Sequence, residues 1–204
     1  MSRAPKEADA RRLVHACFDS IDSAKALLDA EPGLLYARDG LGETPLHYLV
    51  VEDQLEAVKF LFGRGATLNT VSDVNGSPLS EAASLGYEVM VEWLLANGAK
   101  IELEGQGEPT LLNAADNGSA AIVTMLLAAG ADVAIRNSLG ETALHRAAYS
   151  DGRILITELL LDALADTAAL AFDETPLDVA IANGAVETAK LLRARGARAN
   201  RHPG

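Results

Sequence analysis

Gly42-Glu43-Thr44-Pro45-Leu46-His47 is answered further along the chain by Gly140-Glu141-Thr142-Ala143-Leu144-His145. Weaker copies share the same register. Pro45-Leu46 is followed after 33 residues by Pro78-Leu79 and after 32 more by Thr110-Leu111; Ala143-Leu144 and Pro176-Leu177 then return at steps of 33. Behind each lies a small or aliphatic pair: Leu49-Val50, Ala82-Ala83, Ala114-Ala115, Ala147-Ala148 and Ala180-Ile181. A leucine-rich run comes next, as in Trp93-Leu94-Leu95 and Leu159-Leu160-Leu161. Most units then close on Gly-Ala, at Gly65-Ala66, Gly98-Ala99, Gly130-Ala131 and Gly196-Ala197. Five units in one register mark a repeat architecture.

The physical reading of one unit is a pair of helices. Thr44 sets a capping hydroxyl at a helix start, and Pro45 at the first helical position loses no needed N–H. Alanine pairs keep the first helix thin, so neighbouring units approach closely. The leucines of the second helix point into the same seam. A glycine such as Gly98 supplies the left-handed residue that ends that helix. Each pair alone leaves an apolar face wet, and stacking its neighbours buries it.

These residues resemble the ankyrin-repeat signature, as does Gly130-Ala131-Asp132-Val133. The match runs from about Asp39 to Asn200, and Ala24–Arg38 resembles the degenerate unit that opens such arrays. The resemblance implies an all-α solenoid of stacked helix-turn-helix units with hairpin-like loops. It divides the chain into a capping unit at 1–38 and repeats at 39–71, 72–103, 104–136, 137–169 and 170–204, the last with a cap and a short basic tail. It also gives His47 and His145 a structural role, with the ring bonded to backbone and to the threonine hydroxyl of an adjacent loop. The units differ in detail. Repeat two has its tip glycine displaced, at Gly76, and repeat three swaps the order to Pro109-Thr110. Repeat four carries an extra residue near Ser150-Asp151-Gly152 and has Leu164 in place of the closing glycine. Repeat five has Asp178 in place of the histidine.

Composition agrees with helices. The 204 residues are 49% apolar but only 4% aromatic, too few strand formers for a β-sandwich. A net charge of −12 opposes any sequence-independent grip on nucleic acid or an anionic membrane. Residues 186–204 run the other way, with Lys190, Arg193, Arg195, Arg198 and Arg201 against Glu187, and read as a cationic end facing its own helix dipole. Cys17 is the sole cysteine, so no internal disulfide forms. Met1–Arg12 shows no signal peptide, and no apolar run reaches 18 residues, so a cytoplasmic protein is expected.

Nothing resembles an active site, and no catalytic residue, metal or cofactor is expected. His15 and Cys17, two apart, point away from each other on a helix. No cysteine cluster or H-E-x-x-H spacing suits zinc. Gly105-Gln106-Gly107 lacks the third glycine of a dinucleotide loop and the lysine of a phosphate loop, and falls at a hairpin tip. Asn75-Gly76-Ser77 and Asn117-Gly118-Ser119 match glycosylation acceptors but lack a secretory signal.

The resemblance implies that partners meet the hairpin tips and the exposed ends of the first helices, on the concave side. Carried over, these positions are Leu41, Glu43, Val51 and Glu52 in repeat one, and Asp73, Val74, Ser84 and Leu85 in repeat two. Repeat three supplies Gln106, Glu108, Asp116 and Asn117, and repeat four Leu139, Glu141, Tyr149 and Ser150. Repeat five supplies Phe172 and Glu174. An apolar residue recurs at one tip position, as Leu41, Val74, Leu139 and Phe172, and acids flank it, with Glu43, Glu108, Glu141 and Glu174 expected as an exposed ladder. The expectation is a monomeric, non-catalytic scaffold for another protein, one with a basic surface. An inhibitor or immunity-like protein that neutralises a basic enzyme is the narrower alternative. A self-assembling array and a small-molecule-binding enzyme are the others.

Overall fold

Each repeat supplies an extended serine or threonine followed by helix formers, then a left-handed residue, and the backbone obeys that punctuation. The computed structural model describes residues 7–74 and 76–200; the expectations that involve Met1, Asn75, Arg201 and the end of the basic tail lie outside the described residues. Twelve α-helices lie among the described residues: α1 (Glu7–Asp19), α2 (Ile21–Ala30), α3 (Pro45–Val51), α4 (Leu55–Gly63), α5 (Pro78–Leu85), α6 (Glu88–Ala96), α7 (Thr110–Asn117), α8 (Ala120–Ala128), α9 (Ala143–Ala147), α10 (Ile154–Asp162), α11 (Pro176–Ala182) and α12 (Val186–Ala194). Short 3₁₀ turns occupy Pro32–Tyr36 and Asp151–Arg153. No β-strand forms among these residues; the tips hold two isolated bridges, Ser72 with Gly76 and Ala171 with Glu174. The class is all-α, in six helix-turn-helix pairs.

The chain divides into two compact units, Met1–Gln106 and Gly107–Gly204. In the first, α1 packs on α2 and α3, and α3 on α4 and α5. Phe62 of α4 meets Trp93 of α6 edge to face, with ring centroids 5.4 Å apart. Within the capping unit expected at 1–38 lie α1, α2 and the 3₁₀ turn. In the second unit α9 touches both α7 and α11, while α10 touches both α8 and α12. First and second helices thus form separate layers, and the seam between them is the core. Ala82, Ala83, Ala114, Ala115 and Ala147 are fully buried there, with Leu79, Leu94, Leu111, Leu126 and Leu160.

Helix starts follow the sequence with one refinement. Ser77 and Thr175 accept from the third helical N–H, of Ser80 and Asp178, at 3.2 Å each. At Thr44 and Thr142 the hydroxyl instead meets the Nδ1 of His47 at 2.8 Å and of His145 at 2.9 Å. The backbone N–H of each threonine also donates to that Nδ1, at 3.1 Å. Nδ1 is therefore the acceptor and the proton sits on Nε2, which in His145 donates to the Glu174 carbonyl of the next repeat at 3.2 Å. This corrects the expected bond to a threonine of an adjacent loop: the threonine is the ring's own helix cap, and the neighbour contributes a carbonyl. Burial keeps both rings neutral, lowering His47 to about 4 and moving His145 in the same direction. Asp178 replaces the ring with a carboxylate that accepts from Thr175 N–H and Oγ1 and from Asn200 N–H, at 2.7–2.9 Å.

The inserted residue in repeat four is absorbed by the 3₁₀ turn. Ser150 Oγ accepts from Gly152 N–H at 3.1 Å, and Asp151 Oδ1 accepts from Thr188 N–H at 2.8 Å. Ala185, at the start of α12, has no capping oxygen of its own, so Asp151 caps that helix from the previous repeat. The Thr188 N–H holds the Asp151 carboxyl below its ordinary range.

The second helices end alike. Gly98 (φ 88°) donates to Leu95 O and Ala99 to Leu94 O, at 3.2 and 3.0 Å. Leu164 (φ 65°) donates to Leu161 O and Ala165 to Leu160 O, at 3.0 and 2.9 Å. Repeat four therefore closes as its siblings do, on a residue whose Cβ resists that conformation. Leu164 is 86% exposed, so its side chain returns little burial. Leu164→Gly is expected to raise stability by roughly 1 kcal/mol, read as a melting temperature about 2–4 °C higher in calorimetry. A lower melting temperature would show that the leucine side chain contributes more than the strained turn costs.

Candidate functional site

The tips are built by one side chain that was not singled out from sequence. Asp39 Oδ1 accepts from Leu41 and Glu43 N–H at 2.8 and 3.0 Å, while Asp39 N–H donates to Glu43 O at 3.0 Å. Asn137 repeats the arrangement with Leu139 and Glu141, at 3.0 and 2.9 Å. An Asp or Asn two residues before the apolar tip is the readable signal, since such side chains fold back on backbone two residues ahead. Neighbouring tips are then joined by arginine. Arg38 Nη1 donates to Gly42 O and Val71 O at 3.0 Å each, and Arg136 Nη1 to Gly140 O and Leu170 O at 2.9 and 2.8 Å.

This frame turns the apolar tip residue outward. Leu41, Val74, Leu139 and Phe172 are between 46% and 66% exposed, so they do not pack away on one another. In the first unit Asp73 N–H donates to Leu41 O at 2.8 Å, which sets Leu41 and Val74 on joined tips. Leu85, Ser84 and Glu52 are exposed at the ends of α5 and α3, and Val51 is half-buried beside them. In the second unit Leu139 and Phe172 share arginine-joined tips, and Tyr149, Ser150, Asp116 and Asn117 are exposed at helix ends. Gln106, Glu108 and Glu174 are half-buried.

The fifth tip differs in backbone. Ala171 and Glu174 exchange N–H to O bonds at 3.0 and 2.9 Å around Phe172 (φ 50°) and Asp173 (φ 62°). Two consecutive left-handed residues make a tight reverse turn that ordinarily carries Asn and Gly. Asn200 Nδ2 holds its Asp173 carbonyl at 2.9 Å.

The acid ladder is corrected. Glu43 and Glu141 are only 6% and 7% exposed. The cause is the inward turn of the tip, and in the second unit a cation: Arg146 lies 2.9 Å from Glu141 and 3.2 Å from Glu108. Asn137 Nδ2 also donates to both, at 3.0 and 3.1 Å. Glu108 and Glu141 therefore belong to a partly buried network rather than to a solvent-facing field. Asp116 is likewise paired, with Arg153 at 3.2 Å, and at the basic end Arg195 meets Asp162 at 2.7 Å.

Two groups stand apart from this pairing. Cys17 is buried, and burial pushes its thiol up to about 11, which leaves it a poor nucleophile. Glu81 is 4% exposed, and neither carboxylate oxygen has a hydrogen-bond partner. Burial, with a further push from Glu43, raises its carboxyl to about 8. A cavity of about 200 Å³ in the first unit, lined by Leu35, Tyr36, Ala66 and three threonines, has Arg38 as its one charged wall. No helix among the described residues is long and apolar enough to cross a membrane.

Comparison with known proteins agrees with this geometry. The family model for ankyrin repeats (3 copies) matches residues 13–105 and 111–202. The chain is 33% identical over 184 residues to the nuclear factor NF-kappa-B p105 subunit of Gallus gallus, covering 85% of this chain and 19% of that protein. It is 35% identical over 182 residues to the ankyrin repeat protein nuc-2 of Neurospora crassa, covering 88% and 17%. The human transient receptor potential cation channel subfamily A member 1 is 30% identical over 183 residues, covering 85% and 16%. The chain thus spans less than a fifth of these relatives' length.

Two consequences can be measured. Glu141→Lys is expected to lower stability by roughly 3 kcal/mol, because it buries a cation against Arg146; an unchanged denaturant midpoint would show that Glu141 is solvated. For Glu81 the folded carboxyl, at about 8, lies above the ordinary glutamate value of 4.5. The folded state holds the proton more tightly, so this stabilisation is full below 4.5 and is lost as pH rises through 8. Glu81→Gln should therefore gain melting temperature over the parent at pH 8.5 by more than it does at pH 4. Equal gains at both would place the Glu81 carboxylate in water.

Proposed function

The chain belongs to the ankyrin-repeat family, whose repeats are generally protein–protein interaction modules, and on that premise we propose that it binds another protein through its tips without catalysing a reaction. The observation that carries the reading is the recurrence of one exposed apolar residue, Leu41, Val74, Leu139 and Phe172, on tips that arginine and Asx bonds hold rigid. Rigid apolar anchors lose little entropy on binding, and soluble proteins otherwise keep such residues covered. The exposed ends of the first helices, with Leu85 and Tyr149, extend the contact within their own units. The partner side should offer apolar pockets, and the net charge of −12 favours one with a basic rim. Family character supports the non-catalytic reading, since ankyrin-repeat proteins are typically not enzymes. We place the protein in the cytoplasm, as a monomer, with neither nucleic acid nor membrane as its target.

The test compares three immobilised chains against extract of the source cells. The parent is set beside Leu139→Ser with Phe172→Asn, and beside a control on the second helices, Val89→Ser with Leu155→Ser. Asparagine tolerates the left-handed conformation of Phe172, and all four side chains are exposed, so melting temperatures should stay close. Proteins held by the parent and the control should be depleted roughly tenfold or more on the tip variant, as expected when anchor residues are cut back. Equal retention on the tip variant would move the interface away from the tips.

A further inference from the structure

In the second unit the fourth residue after the capping threonine is Arg146. Its guanidinium joins the tip acid of its own repeat, Glu141, to that of the preceding repeat, Glu108. The same count from Ser77 in the first unit arrives at Glu81, and the preceding tip acid there is Glu43. The register thus sets an acid where the second unit has the cation that neutralises its acids.

The consequences are visible at Glu81. Its two oxygens are buried and make no hydrogen bond, and the charge of Glu43 acts against it. Two arginines of the first unit bond at α3 and at the tips. Arg11 lies over the Tyr48 ring at 5.7 Å and reaches its hydroxyl at 3.4 Å, on the side where that hydroxyl donates to Asp39. Arg38 uses Nη1 on two tip carbonyls. Buried carboxyls in folded proteins are normally hydrogen-bonded or paired, and among the described residues neither oxygen of Glu81 has a hydrogen-bond partner.

We propose that Glu81, together with Glu43, receives one basic side chain, a lysine or arginine, of the protein that the first unit binds. This rests on the protein-binding reading above and names the chemistry of one of its contacts. The incoming cation takes the place in the first unit that the Arg146 guanidinium holds in the second. Because the carboxyl lies beneath the surface, the partner group must carry its charge at the end of a long thin stem. Glu81 has three side-chain torsions with which to turn its carboxylate toward it. The contact is charge-assisted on both sides, and it converts Glu81 from its neutral to its ionised form, releasing a proton.

The probe is N-acetyl-arginine methylamide, with the uncharged N-acetyl-citrulline methylamide as control, titrated into the full chain at pH 7. Carbon-13 NMR of the side-chain carboxyls follows Glu81 and Glu43. The arginine probe should shift Glu81 saturably, at millimolar concentration, toward the position of an ionised carboxylate, and the citrulline probe should leave it in place. Glu81→Gln should weaken binding of the arginine probe about tenfold. Glu81→Arg, which supplies the cation internally as Arg146 does, should abolish the response at Glu43. A Glu81 resonance that does not move, an equal response to citrulline, or undiminished binding by Glu81→Gln would overturn the proposal. Should either variant fold poorly by its amide spectrum, the comparison of the two probes on the parent chain still decides. A response to the arginine probe alongside unchanged capture on the tip variant would fault the tip reading alone; the converse would fault this site alone.

Discussion

Helices of five to thirteen residues are too short to hold themselves in water, because nucleation is costly and each bond added returns little. Among the described residues every helix is of that length, so none of them can exist without a neighbour that buries its apolar face. That requirement explains the alanine pairs, since Ala82-Ala83 and Ala114-Ala115 let first helices approach until no side of the pair is exposed. It also explains why the loops are so heavily bonded. A loop that misplaced the next pair by a few ångströms would leave both helices wet. Arg38 and Arg136, each tying two successive tips by their carbonyls, fix that spacing.

The same bonding produces the candidate interface. Asp39 and Asn137 capture two amides of their tips, the first of them that of Leu41 or Leu139, and those leucines stand in solvent. The acid that follows is turned the other way. Exposure of the apolar residue and burial of the acid are one event seen from two sides. The energetic asymmetry is plain: the acid enters a site with donors waiting, while the apolar residue is left wet by a backbone that gains two hydrogen bonds.

Most of the fold was legible in the sequence because its signals are local. Threonine or serine before proline, glycine before alanine, and the leucine at 164 are read within four residues, and the backbone follows each of them. The exposure of Leu41, Val74, Leu139 and Phe172 was legible for the same reason. The burial of Glu141 and the half-burial of Glu108 were not, because they depend on an arginine and an amide whose reach is set by folding. Arg146 meets Glu108 across 38 residues of chain, and Asp151 caps a helix 37 residues away. Glu81 gave no signal at all. An acid in the middle of a short amphipathic helix reads as a solvated face until the neighbouring repeat is placed against it.

Two strained positions separate structural tolerance from a built feature. Leu164 and the Phe172–Asp173 pair all hold positive φ without being glycine. At Leu164 the bonds are those of every sibling turn, and nothing beyond them secures the residue. The stack tolerates it because stability is shared among neighbours, so one weak turn does not unfold the array. At Phe172 the strain is doubled, and three further bonds hold the turn: the exchange between Ala171 and Glu174 and the Asn200 side chain on Asp173. A sequence that carries strain and also clamps it fixes the direction of what the turn displays. What it displays is an aromatic ring two-thirds open to solvent. Aromatic rings contribute most to association when their orientation is set before the partner arrives, because little conformational freedom is then left to lose. The fifth tip has that property, and the tips of Leu41, Val74 and Leu139 share its exposed apolar position without its strain.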